Sequence, residues 1–287
     1  MNSVITQLKR LNKERTAETY TAALNSFASF RKDKDVLLDE ISSDLMMEYE
    51  VYLKAKGVTM NTVSFYMRIL RAVYNRAVEK ELISQHNQFK HVYMGVDKTI
   101  KRAIPLKAIK QIKNLDLSIK PSLDFARDMF LFSFYTRGMS FIDMAYLKKK
   151  DLQNGIFSYL RRKIGQQIFI RWEKCMQEII DKYPETGTDY LLPIIRTAGN
   201  ERQQYRNALR LVNNKLKGIA TMIELHTNLT MYVARHSWAS IARNKDIPIS
   251  VISEGMGHNS EATTQIYLAS LDSSIIDRAN EMILKNL

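Results

Sequence analysis

A chain of 287 residues has room for about two domains at roughly 150 residues each. Its 43 Lys and Arg against 30 Asp and Glu give +13 and call for an anionic partner, while 45% apolar content excludes a disordered chain and 10 Gly and 5 Pro are too few for a many-turned sandwich or barrel. The single cysteine, Cys175, excludes an internal disulfide and a Cys-based zinc cluster; with no apolar run near the ~18 residues of a membrane span and no signal-peptide core in MNSVITQLKR, the expectation is a cytoplasmic, mostly helical protein with no membrane partner.

The first hundred residues predict a compact helical unit. Tyr20, Leu24, Phe27 and Phe30 follow 3–4 spacing, with Thr16 as the expected N-cap. Leu45, Tyr49, Tyr52 and Leu53 form a second apolar face, preceded by Ser42 and Ser43 and closed by Gly57. Val63, Tyr66, Leu70, Val73, Tyr74 and Ala77 form a third. Periodicity is lost from His91 to Pro105, where the basic run DKTIKRAIP reads as a linker over 97–105. A second domain, 106–287, starts near Leu106: Phe125, Met129 and Phe132 predict a buried helix ending at Gly138. IFSYLRRKIGQQIFIRW, residues 156–172, breaks the helical pattern and predicts a β-hairpin turning at Ile164-Gly165-Gln166. Helical patterns return through Leu216, Val233–Ala242 and Ile249–Met256, and Ile275, Ile276, Ala279, Met282 and Ile283 predict a short C-terminal helix. The fold class is therefore mainly α with a small β-hairpin or sheet in the second domain, an α+β arrangement.

The positive charge is concentrated in that second domain. Arg196 to Lys217 holds six basic residues and one acid, and Arg202, Arg206 and Arg210 recur every four positions, one row on a helix. Such a row suits a polyphosphate whose counterions are released on binding, and it would also serve as the solvated face of a merely basic protein. Near the C-terminus, Arg235-His236, His258 and Tyr267 form a set that could transfer a phosphoryl group: a phenol nucleophile needs cationic clamps for the charge that develops on phosphate. From the residues alone, Tyr267 could equally be one of 14 tyrosines at a core edge.

The string VARHSWASIARNKDIPISVISEGMGHNSEATTQIYLAS resembles the C-terminal signature of the tyrosine recombinase (phage integrase) family, with Arg235-His236, Met256-Gly257-His258 and Thr263-Thr264-Gln265-Ile266-Tyr267 in order and in spacing. The resemblance extends over nearly the whole chain: 1–96 resembles the family's helical core-binding (SAM-like) DNA-binding domain and 106–287 its catalytic domain. It implies Tyr267 as the nucleophile that forms a 3′-phosphotyrosyl link, Arg235 as the clamp on the non-bridging oxygens, and His258 as a phosphate ligand or proton carrier. Lys163, in RRKIGQQ, would be the general acid for the departing 5′ oxygen, or else a phosphate contact or a solvated turn. Arg161 and Arg162 beside it join Arg202, Arg206 and Arg210 as expected DNA contacts.

Two departures from the family pattern stand out. Thr-Gly-Leu-Arg-x-x-Glu of the family corresponds to Arg137-Gly138-Met139-Ser140-Phe141-Ile142-Asp143, which puts Ser140 where the first catalytic arginine belongs. The expectation is that Arg137, three residues earlier, replaces it; the alternative is that Arg137 caps the preceding helix and another arginine, or none, supplies the clamp. The family's His-x-x-Arg reads Tyr232-Val233-Ala234-Arg235, and a phenol is a poor acid or base near pH 7, so Tyr232, like Ser140, is expected to make at most a phosphate contact.

By resemblance the chain is a site-specific DNA recombinase of the type lacking an arm-binding domain. It would act on double-stranded DNA as a homotetramer on two sites through a Holliday junction, be a monomer in solution, and associate with the nucleoid when bound. The covalent link retains the bond energy, so no cofactor is expected, and no metal is expected at His226, His236 or His258. The alternative is a DNA-binding protein of the same fold with impaired cleavage, to which Ser140 and Tyr232 would point.

Overall fold

The computed structural model describes residues 1–97, 102–268 and 284. The chain divides into two compact units, Met1–Thr99 and Ile100–Leu287.

In the first unit, α1 (Asn2–Arg10), α2 (Glu14–Phe30), α3 (Ser43–Ala55) and α4 (Met60–Glu79) follow the apolar stripes of the sequence. Two boundaries differ from expectation. Helix α1 was not signalled, and α2 begins at Glu14 rather than after Thr16. A turn with Asn12 in the left-handed region (φ 54°) starts α2 early, and Glu14 then stands in its positively polarised first turn. Ser42 caps α3 by accepting the Leu45 amide at 3.1 Å. Phe27, Met46, Tyr49, Leu53, Val63, Met67 and Tyr74 share one core, each such side chain contributing about 1.5–3 kcal/mol by burial. Phe27 meets Tyr49 edge to face at 5.1 Å.

The aperiodic stretch after α4 is held by side chains instead of a stripe. Glu50 accepts the Tyr93 amide at 2.7 Å, Arg68 Nη2 donates to the Met94 carbonyl at 2.6 Å, and Asn61 exchanges two hydrogen bonds with the Asp97 backbone. A chain without a buried face can still be ordered when its backbone polar groups find partners in this way.

The second unit is built around α6 (Pro121–Tyr135), whose Phe125, Ala126, Met129, Phe130, Leu131 and Phe132 are all buried. A helix buried around most of its circumference is a central helix, and α6 packs against α8 (Lys174–Asp181), α9 (Glu201–Met222), α10 (Met231–Arg243) and α5 (Leu106–Asn114). A three-stranded antiparallel sheet, β1 (Leu152–Gln153), β2 (Ile156–Leu160) and β3 (Gln167–Arg171), covers the same core. The register pairs Phe157 with Ile170 and Tyr159 with Ile168, all buried, while Ile156, Leu160 and Phe169 face out. The expected mainly α fold with a small sheet is thus observed. Helices α7 (Phe141–Ala145), α11 (Ile249–Gly255) and α12 (Glu261–Tyr267) complete the described α-helices. The expected helix through Ile275–Ile283 lies outside the described residues.

Candidate active site

Helix α10 carries Arg235 into the interior. The helix is lined there by Ala234, Ser237, Ala239 and Ser240, small residues that let other backbones approach. The closest is the turn after α6: a Cβ on Gly138 would fall 2.7 Å from the Arg235 Cα. That turn needs left-handed backbone at two successive residues, Arg137 (φ 59°) and Gly138 (φ 76°). For Arg137 this conformation costs about 1–3 kcal/mol. Arg235 is 3% exposed, and it donates through Nη1 to the Gly138 carbonyl and through Nη2 to the Met256 carbonyl, both at 2.7 Å.

Its third partner is His258. Helix α11 ends at Gly255, and Gly257 (φ 64°) turns the chain so that the His258 amide returns to the Ser253 carbonyl at 2.9 Å. His258 Nε2 then stands 2.8 Å from Arg235 Nη2, and Nδ1 stands 2.8 Å from Thr264 Oγ1. A guanidinium has no acceptor, so Nε2 carries the lone pair and the proton resides on Nδ1, donated to Thr264. Burial pushes the imidazole pKa down to about 4, helped by the positive charges of Arg235, Arg161 and Lys163. The histidine is therefore neutral at physiological pH, with its tautomer set by its two partners.

Thr264 lies in α12, capped by Ser260, and Tyr267 closes that helix one turn later. The side chain of Tyr267 lies outside the described residues.

The β2–β3 loop supplies further cations. Arg161 donates its amide to the Gln166 carbonyl at 2.8 Å and accepts Ile164 and Gly165 amides on its own carbonyl, which closes a tight loop around Lys163. Lys163 is exposed, and its charge acts on His258. Arg162 is exposed too, with its guanidinium 4.0 Å over the Tyr146 ring and its amide held by Asp143 Oδ1 at 3.0 Å. Arg161 corrects the expectation of an outward DNA contact. It is 6% exposed and its Nη1 donates to the Gly257 carbonyl, because strand alternation after Phe157 and Tyr159 turns it inward.

Ser140 has a local role. It is the N-cap of α7, and its hydroxyl donates to Asp143 Oδ2 at 2.6 Å. Arg137 is half-buried, its stem running beside Gly255. Tyr159, buried beneath this region, has its pKa raised by burial and by Asp143, against the opposing charges of Arg235, Arg161 and Arg137. The charges of three arginines thus reach one phenol. Tyr232 is half exposed, its ring edge-on to His236 at 4.7 Å. On α9, Arg202, Arg206 and Arg210 share a face, with Arg206 and Arg210 exposed and Arg202 partly buried.

Sequence reasoning did not assign Thr264, Asp143, Gly138 and Gly257 their parts. All four stand inside the quoted motifs, and a glycine at a left-handed turn, as Gly138 and Gly257 both are, is a signal a sequence can carry. Among the described residues no group of three or more His, Cys, Asp or Glu could hold a metal ion. No described helix is long and apolar enough to cross a membrane.

Comparison with known proteins gives a consistent result. Residues 1–92 match the phage integrase SAM-like domain, and residues 106–274 match the phage integrase family. The tyrosine recombinase XerC of Bacillus pumilus is 22% identical over 273 residues, which cover 91% of this chain and 88% of that protein. The tyrosine recombinase XerA of Pyrococcus furiosus is 23% identical over 246 residues, covering 82% and 79%. In fold, the chain is similar to lambda integrase in a tetramer bound to a Holliday junction, with a TM-score of 0.69, 15% identity and coverage of 93% and 77%. It is also similar to the XerH site-specific recombinase bound to its difH substrate, with a TM-score of 0.62, 18% identity and coverage of 92% and 81%. With the family model matching 106–274, more than half its length, this chain belongs to the phage integrase family, the tyrosine recombinases.

Proposed function

We propose that this protein is a site-specific DNA recombinase that cleaves and rejoins strands through a 3′-phosphotyrosyl intermediate. The observation that carries the reading is the buried Arg235–His258 pair: a permanent cation against a neutral imidazole with its lone pair on Nε2. In the reaction, Tyr267 Oη attacks the scissile phosphorus and gives up its proton, which His258 Nε2 takes only by releasing the hydrogen bond it accepts from Arg235 Nη2. The bond from phosphorus to the 5′ oxygen breaks, and Lys163 protonates the departing oxygen. Arg235 and Arg137 meet the charge that accumulates on the non-bridging oxygens, in a site where burial strengthens each interaction.

The phosphotyrosyl link preserves the energy of the broken phosphodiester, so a 5′-hydroxyl from a second duplex can reverse it without ATP. Repetition on the other strand pair resolves a Holliday junction. Exposed Arg162, Arg206 and Arg210, with Arg202, are proposed to meet the DNA backbone, where they would set affinity and its salt dependence but carry no sequence information. The lambda integrase tetramer on a Holliday junction supports an assembly of four copies on two DNA sites, formed from monomers in solution.

The test uses nicked duplexes tiled across the DNA flanking the protein's own gene, incubated with wild type, Tyr267→Phe and Arg137→Ala and resolved on a denaturing protein gel. A covalent adduct with wild type that is absent with Tyr267→Phe is the expected result, and its loss in Arg137→Ala with duplex binding intact is expected if that arginine is a clamp. Specific binding without any adduct would overturn the reading in favour of a non-cleaving DNA-binding protein.

A further inference from the structure

Two buried arginines hold successive carbonyls of one loop. Arg235 Nη2 donates to the Met256 carbonyl, and Arg161 Nη1 donates to the carbonyl of Gly257, the residue just before His258. Arg161 comes from the other side of the site, at the end of β2, and its own backbone closes the loop that carries Lys163. The two loops are in tight contact. A Cβ on Gly257 would fall 2.5 Å from Ile168 Cδ1 and 3.3 Å from Gln166 Oε1, so the Ile168 side chain would have to shift to admit one.

A guanidinium is an odd choice for mere filling. It is always charged and costly to bury, and a neutral carbonyl repays only part of that cost. What it does provide is reach and direction: one rigid fork that fixes the spacing of two loops whose residues stand 96 positions apart in the chain. We propose that Arg161 is a positioning residue that locks the Lys163 loop onto the His258 loop, holding the acid for the leaving 5′ oxygen in register with the phosphate-binding site. The inference rests on the recombinase reading and adds to it a residue that touches no DNA.

The role separates from simple folding by a change of leaving group. A duplex with sulfur in place of the bridging 5′ oxygen at the scissile phosphate expels a thiolate, which needs no proton. Single-turnover adduct formation is measured on the oxygen and sulfur duplexes for wild type, Lys163→Ala and Arg161→Met, the last an apolar side chain of similar length. Lys163→Ala and Arg161→Met are both expected to slow about 100-fold on oxygen and to return to within about threefold of wild type on sulfur. Equal losses on both duplexes, or no loss on oxygen, would overturn the assignment. Arg161→Lys, which keeps the charge and a single donor, is expected to show the same contrast and answers the question if Arg161→Met does not fold. Absence of adduct with wild type on either duplex would instead remove the recombinase reading, and the inference with it.

Discussion

Gly138 and Arg235 are in such close contact that a methyl group on the glycine would fall 2.7 Å from the arginine Cα and 2.8 Å from its Cγ. The Gly138 carbonyl also accepts from Arg235 Nη1 at 2.7 Å, so one residue both makes room for the arginine and orients it. The turn in which Gly138 sits leads directly into Ser140, the N-cap of α7.

Gly138→Ala is therefore expected to damage fold and site together. Its φ of 76° disfavours any side chain, and the overlap with α10 cannot be relieved by a rotamer change. The expected loss is about 2–4 kcal/mol. Urea denaturation checks the stability, and adduct formation by the folded protein is expected to fall as Arg235 is displaced.

The His258 environment predicts a specific pH dependence of stability. An imidazole in the unfolded chain titrates near 6.5, whereas the buried one stays neutral down to about 4. The fold thus favours the unprotonated form: its contribution is complete above pH 6.5 and is lost as pH falls toward 4. Between pH 7 and pH 5 this amounts to about 2 kcal/mol. Unfolding curves at both pH values for wild type and His258→Gln test it; the variant is expected to lose that share of the pH dependence.

Thr264→Val keeps the shape of a fully buried side chain and removes the hydroxyl that accepts the His258 Nδ1 proton. A buried donor left without its partner costs about 1–3 kcal/mol. With the tautomer no longer enforced, single-turnover cleavage is expected to fall about tenfold. Thr264→Ser, which restores the hydroxyl, is expected to recover most of both losses.

A second buried polar group serves stability alone. Asp128, 2% exposed on α6, accepts from Arg127 Nε at 3.1 Å and from the Tyr183 hydroxyl at 2.8 Å, and pairs with Lys182 at 2.5 Å. Arg127 and Lys182 also pair with Asp124. Asp128→Asn leaves two cations short of one carboxylate and is expected to cost about 3–5 kcal/mol. Because the network's described hydrogen bonds and ion pairs run among Asp124, Arg127, Asp128, Lys182 and Tyr183, the cleavage rate per folded molecule is expected to be unchanged.

The legibility of these features followed the range of the forces behind them. The stripes of α3 and α4 were readable because burial of one face imposes a period along the chain itself. Helix α1 escaped notice because its small cluster, Ile5 and Leu8 against Ala17, is short and largely polar around it. The stretch from His91 shows no periodicity because its order comes from hydrogen bonds to α3 and α4 rather than from its own pattern. At the site, Arg235, His258 and the Thr-Thr-x-x-Tyr run were readable because they occupy one local stretch with ordered spacing.

Amino-acid order by itself determined a mainly α protein with a hairpin, a basic second unit and the family signature from Arg235 to Tyr267. Even the inward turn of Arg161 was implicit in the alternation Phe157, Tyr159, Arg161. Only the tertiary structure decided what these side chains meet: Gly138 against Arg235, Arg161 on the Gly257 carbonyl, Ser140 spent on capping α7. Periodicity tells which way a residue points, because that depends on neighbours in the chain. Its partner depends on how distant elements pack, and that is set by the shapes of whole helices and strands closing on one core.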